Sequence, residues 1–187
     1  MNPEAPKLSL AIDTSRDHIQ GSDTAVVTLL EYGDYECPYC GQAYPIIKQI
    51  QNSFGEDLRF AFRHFPITQS HPHAQDAAES AESAGSQNKF WEMHDYLYEH
   101  QQALDDIHLE KYARELRLDL NKFNQDMSDH VYLDRVKEDF LSGVRSGVNG
   151  TPCFYINGLR YDDSWDIETF TERLKNIVNS KRSDIIG

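Results

Sequence analysis

The chain has 187 residues, 39% of them hydrophobic and 26% charged, which is enough for one folding unit with a packed core and suggests neither a disordered chain nor a membrane protein. Its 31 acidic against 18 basic side chains give a formal charge of -13, and no basic stripe overrides it, so a phosphate backbone would be repelled and nucleic acid is not an expected partner. Residues 1–25 read as an N-terminal extension without the basic n-region or apolar run of a secretory signal; the expected address is the cytoplasm, with a trimmed exported form as the less favoured alternative.

The run Val26-Val27-Thr28-Leu29-Leu30-Glu31-Tyr32 places apolar residues on both faces, which predicts a buried strand running toward Cys37. Pro38 suits the first turn of a helix, where its missing N–H costs nothing, and Tyr44, Ile47 and Ile50 recur at helical spacing as far as Phe54-Gly55. Pro45 is expected to kink that helix rather than end it. Residues 57–66 alternate, with Leu58, Phe60 and Phe62 on one face, giving a second strand that a right-handed crossover would set parallel to the first.

From His71 to Val148 the signal is almost wholly helical. "AQDAAESAESAG" is rich in helix formers, Phe90, Trp91, Met93 and Leu97 form an inward stripe, and "HLEKYARELRL", "NKFNQDM" and "VYLDRVKEDFLSGVRSGV" follow. Asn157-Gly158 between Phe154-Tyr155-Ile156 and Leu159-Arg160-Tyr161 is a hairpin signal. "DIETFTERLKNIV" closes as an amphipathic helix with Ile167, Phe170, Leu174 and Ile177 inward. The predicted fold is α/β: residues 26–66 and 149–180 form one domain, 67–148 an inserted helical subdomain, and 181–187 a C-terminal tail.

Cys37 and Cys40 flank Pro38-Tyr39 in "YECPYC", and Cys153 is the remaining cysteine. A zinc site needs further ligands; His71 and His73 have the wrong spacing for a usual finger, and His71-Pro72-His73 more simply opens a helix. A structural disulfide closing so small a loop would constrain little unfolded-state entropy. A redox pair uses every feature. At a helix N-terminus Cys37 meets unsatisfied N–H groups that favour its thiolate and make it the nucleophile. Cys40, one turn in and more buried, is placed to attack a mixed disulfide on Cys37.

"LLEYGDYECPYC", the run "RHFP…HPHAQDAA…KFWEMHDYLY" and "GVNGTPCFYING" resemble the thioredoxin superfamily, and more closely its DsbA-like disulfide oxidoreductases, from about Val26 onward. The resemblance implies a thioredoxin fold with a helical-domain insertion between its halves. It implies that Pro152 is a cis-proline against the redox cysteines and that Thr151 faces substrate, with Pro38 and Tyr39 also at the substrate surface. It places a buried acid, Glu31, beneath Cys40, where it would accept that thiol's proton. Glu36 is expected to point to solvent.

The implied function is a thiol-disulfide oxidoreductase acting through a mixed disulfide on protein or small-molecule disulfides. It needs no metal or organic cofactor and would work with a redox partner or glutathione. Tyr39 stands where strongly oxidising periplasmic members carry histidine, so a milder poise is expected. "CPYC" also occurs in glutaredoxins, which keeps a glutathione-linked reductase as an alternative; a non-catalytic binding module with a C-x-x-C metal clip is the alternative of another class. His64, His94, His100 and His108 are expected as surface or satisfied core groups, Phe90 and Trp91 as core. Cys153 is expected to turn into the packed face of the sheet as an inert thiol.

Overall fold

In the computed structural model, which describes residues 6–186, five strands form one sheet in the order β1-β3-β2-β4-β5. They are β1 His18–Gly21, β2 Val27–Gly33, β3 Leu58–His64, β4 Cys153–Ile156 and β5 Leu159–Tyr161. β2 and β3 are parallel, as the crossover between them requires; the pairings β1 with β3, β2 with β4 and β4 with β5 are antiparallel. Asn157 and Gly158 take φ of 50° and 82°, the positive values that a two-residue hairpin turn demands and that these two residues tolerate.

The helices are α1 Pro38–Phe54, α2 Ala74–Gly85, α3 Phe90–Glu99, α4 Asp106–Glu115, α5 Leu120–Ser128, α6 Leu133–Ser146 and α7 Ile167–Ile186. α1 runs through Pro45 without ending. The period of two along β2 sorts its side chains between two cores. Val27 and Leu29 join Phe60, Phe62, Ile47, Ile50, Phe154, Phe170 and Leu174 on the face covered by α1, α7 and the helical block. Leu30 and Tyr32 join Ala61, Phe65, Cys153 and Tyr155 on the opposite face, with Phe140 of α6 packed against them. A Cβ at Gly143 of α6 would fall 2.7 Å from the Phe65 ring, so the glycine lets the helix approach.

The two terminal segments differ from expectation. The extension expected over residues 1–25 contains β1, and the chain before it covers the second core face: Leu8 and Ile12 pack there, and the fully buried Arg63 reaches back to it. Arg63 donates to both Asp17 carboxylate oxygens at 2.8 and 2.9 Å, to the Leu10 and Ala11 carbonyls and to the Tyr32 hydroxyl, so its charge is paired and its donors used. At the other end α7 continues to Ile186, with Arg182 paired to Asp57 at 2.7 Å, where a tail was expected over 181–187. Residues 1–5 and Gly187 lie outside the described residues.

Candidate active site

β2 delivers the chain into the turn Asp34-Tyr35-Glu36, and Cys37 caps α1 with extended backbone, φ -72° and ψ 121°. Pro38 follows at the first helical position. The turn is held from three sides. The buried Asp34 carboxylate accepts from the N–H of Glu36 (2.8 Å), the N–H of Ile67 (2.8 Å) and His71 Nδ1 (2.8 Å), while its carbonyl accepts from Cys37 N–H at 3.1 Å. Glu36, expected in solvent, instead accepts from the N–H and Nδ1 of His73 at 2.7 and 2.9 Å. Gln101, just past α3, donates to the carbonyls of Tyr35 (2.8 Å) and Cys37 (2.9 Å).

The Thr151–Pro152 peptide bond is cis, and Cys37 Sγ lies 3.3 Å from the Thr151 carbonyl oxygen, to which it donates as a thiol. Pro38 and Tyr39 are exposed beside the sulfur, Tyr39 at 62%. A groove of about 340 Å³ opens at Thr151 and Pro152 and is also lined by Arg160, Asp162, Asp163 and Trp165.

Cys37 and Cys40 are both free thiols, 3% and 0% exposed, and their environments drive them apart. The hydrogen bond from the Cys40 side chain is the chief cause that brings the Cys37 pKa down to about 5. It acts against burial and is helped by the N–H groups of Cys40 and Tyr39. Burial pushes Cys40 well above an ordinary thiol, with its bond to Cys37 and the charge of Glu31 adding to the rise. Glu31, on the same face of β2 as Leu29, is 2% exposed; burial, then the Cys37 charge, pushes its carboxyl up to about 8. A sulfur favoured as thiolate, a partner held as thiol and a carboxyl pushed up to about 8 therefore lie together.

The structure brings Cys37, Cys40, Glu31, Thr151 and Pro152 together, with Pro38 and Tyr39 at the rim. Cys153 is apart: 6% exposed, it points to the opposite face of the sheet, beside Tyr155. Sequence reasoning missed Gln101, and it missed the pairing of His71 with Asp34 and His73 with Glu36. The shared two-residue spacing of the acids and of the histidines was the available signal for that pairing. Burial works against a cation on His71, but the Asp34 carboxylate outweighs it and raises the pKa. His64 and His94 are buried at 1% and 3%, each with one ring nitrogen on a carboxylate: His64 Nε2 on Glu82 and His94 Nδ1 on Asp95.

A family model described as thioredoxin matches residues 13–176. The chain is 45% identical over 164 residues to the Na(+)/H(+) antiporter NhaA 1 of Salinispora arenicola, covering 88% of this chain and 25% of that protein. It is 41% identical over 175 residues to the Na(+)/H(+) antiporter NhaA 3 of Salinispora tropica, covering 94% and 27%. The chain thus spans about a quarter of the length of these curated relatives. Among solved structures it is similar to oxidised BdbD from Bacillus subtilis (TM-score 0.80, 20% identity, 94% of this chain and 97% of that one). It is similar also to alpha-DsbA1 from Wolbachia pipientis (TM-score 0.80, 18% identity, 95% and 98%).

Proposed function

The chain belongs to the thioredoxin family and has the DsbA-like fold with a helical insertion, and from that premise we propose that it exchanges thiols and disulfides through Cys37 and Cys40. The observation that carries the reading is the divergence of the two sulfurs within one helical turn: Cys37 is favoured as thiolate and Cys40 as thiol. In the reducing direction the Cys37 thiolate attacks a substrate disulfide, forming a Cys37–substrate bond and releasing one substrate thiolate. Cys40 then gives its proton to Glu31 and attacks Cys37 Sγ; the Cys37–Cys40 disulfide forms and the second substrate sulfur leaves with the bonding electron pair. The substrate disulfide gains two electrons and the pair loses them. Oxidation of a dithiol is the same path reversed, and the potential of the pair against its surroundings sets the direction.

In this reading Thr151 and Pro152, with Pro38 and Tyr39 at the rim, receive the segment carrying the substrate sulfur, and the groove beside them is where its neighbours lie. A cytoplasmic address is part of the proposal, tested by cell fractionation; reduction of disulfides is the direction it would favour. No helix among the described residues is long and apolar enough to cross a membrane.

Reduction of a protein disulfide such as that of insulin, measured in the presence of a metal chelator, tests the function. Cys37→Ser is expected to abolish turnover, and Cys40→Ser to accumulate substrate as mixed disulfides on Cys37. Activity that disappears with the metal, or adducts recovered on Cys40 from the Cys37 variant, overturns the reading.

A further inference from the structure

Six buried side-chain polar atoms among the described residues have no protein hydrogen-bond partner: Glu31 Oε1, Tyr35 Oη, His64 Nδ1, His94 Nε2, Tyr98 Oη and Thr151 Oγ1. Folded proteins pair nearly all such atoms, so exceptions gathered in one place call for a chemical reason. Thr151 belongs to the loop at the cysteines. The other five side chains lie on the α1 face of the sheet, four of them as rings packed against one another.

Tyr98 reaches over Gly33, where a Cβ would lie 2.8 Å from its hydroxyl; Gly33 is two residues beyond Glu31 on the same face of β2. The Tyr98 ring centre is 5.0 Å from that of Tyr35 and 5.0 Å from that of His94. Tyr35 in turn is 5.7 Å from His94 and 5.8 Å from His64. Each imidazole has one nitrogen in this cluster and the other on an acid leading outward. His64 Nε2 is 2.9 Å from Glu82, whose carboxylate is 3.0 Å from Nε2 of His18, a side chain 22% exposed. His94 Nδ1 is 3.1 Å from Asp95, 31% exposed. A neutral imidazole accepts on one nitrogen and donates from the other, and a tyrosine hydroxyl does both.

We propose that Tyr98, Tyr35, His94 and His64, bridged by internal water, form a relay that carries protons between Glu31 and the surface at Asp95 and at Glu82–His18. The proposal rests on the exchange reading and assigns positioning residues to it. At neutral pH Glu31, titrating near 8, holds a proton, and part of the cause is the Cys37 thiolate. When Cys37 enters a mixed disulfide that charge is gone while burial, the larger cause, remains; ionisation of Glu31 becomes easier, and the relay carries its proton away. The carboxylate so formed takes the proton of Cys40 as the Cys40–Cys37 bond forms and the Cys37–substrate bond breaks. The relay removes this second proton, leaving the Glu31 carboxylate beside the Cys37–Cys40 disulfide. His94, brought down to about 4 by burial against the opposing pull of Asp95, stays neutral and able to pass protons.

Stopped-flow reaction of the reduced protein with a small aromatic disulfide separates the steps, because attack by Cys37 releases one coloured thiol and closure by Cys40 a second. Absence of the second release in the unaltered protein sinks the exchange reading itself. With both releases present, Tyr98→Phe and Tyr35→Phe are expected to slow the second by about tenfold or more and to leave the first unchanged. Neither is expected to slow a Glu31→Gln protein further. In the unaltered protein the second release is expected to be independent of small-buffer concentration, since the proton leaves through the interior. Closure within twofold of the unaltered rate in both folded variants overturns the relay. So does a second release that accelerates with buffer base in the unaltered protein, a measurement that needs no variant to fold.

Discussion

Gln101 donates a hydrogen bond of 2.9 Å to the carbonyl oxygen of Cys37, so the inserted helical block holds the turn that carries the Cys37 sulfur. The same nitrogen reaches the Tyr35 carbonyl at 2.8 Å, and the Gln101 side chain lies directly over Gly41, where a Cβ would overlap its oxygen. Gln101→Ala is expected to cost about 1–3 kcal/mol from the carbonyls left unpaired. It should also raise the pH at which Cys37 becomes reactive, since the cap that aims the N–H groups at Sγ loosens. Gly41→Ala displaces the same amide and should reproduce the reactivity change. Chemical denaturation and alkylation rates of both variants check this; a Gly41→Ala protein with unaltered Cys37 reactivity would separate the clamp from the chemistry.

Cys37 is expected to alkylate with a midpoint near pH 5 while Cys40 stays slow throughout. Its folded pKa is depressed, so its contribution to the stability of the reduced protein is full above the ordinary thiol value of 9.0 and is lost as pH falls through about 5. The stability advantage of the reduced protein over Cys37→Ser should therefore shrink across that window. Tyr39, exposed beside the sulfur, adds no charge; Tyr39→His should lower the midpoint further and make the pair more oxidising, because the reduced form gains. An unchanged potential in a glutathione buffer would show that this position acts in some way other than charge.

Glu31 contributes with the opposite sign. Its folded pKa is raised from 4.5 to about 8, so the fold favours the protonated acid and loses stability as pH rises between those values. Glu31→Gln, which carries no charge, should match the unaltered protein near pH 4 and exceed it by up to a few kcal/mol above pH 8. Urea denaturation at several pH values reads this directly; parallel stability curves would mean that the carboxyl is solvated.

Cys153 should resist alkylation in the folded protein, since it is buried on the face opposite Cys37 and burial raises its pKa. Cys153→Ala is expected to leave the redox potential unchanged and to cost about 1 kcal/mol from the small cavity. Mass spectrometry of the oxidised protein that found Cys153 in a disulfide with either active-site sulfur would make this a three-thiol site.

Much of this protein was legible along the chain because it is written in local terms. The apolar run over residues 26–32 and the alternation over residues 57–66 gave the two parallel strands, Asn157-Gly158 gave the hairpin, and the C-P-Y-C spacing put one sulfur at a helix end and the next a turn inside it. These depend on neighbours a few residues apart, and their periods survive in the sequence. What only the tertiary structure decided is made by partners far apart in the chain. His18–Gly21 is too short to announce itself and becomes a strand by pairing with β3. Asp17 becomes structural by meeting Arg63, 46 residues away. Asp34 and Glu36 meet the histidines 37 residues on, and Gln101 crosses 64 residues to Cys37. Such contacts leave no periodic trace, because their energy comes from taking paired polar groups out of water together, and that pairing exists only once the helical block has closed over the sheet.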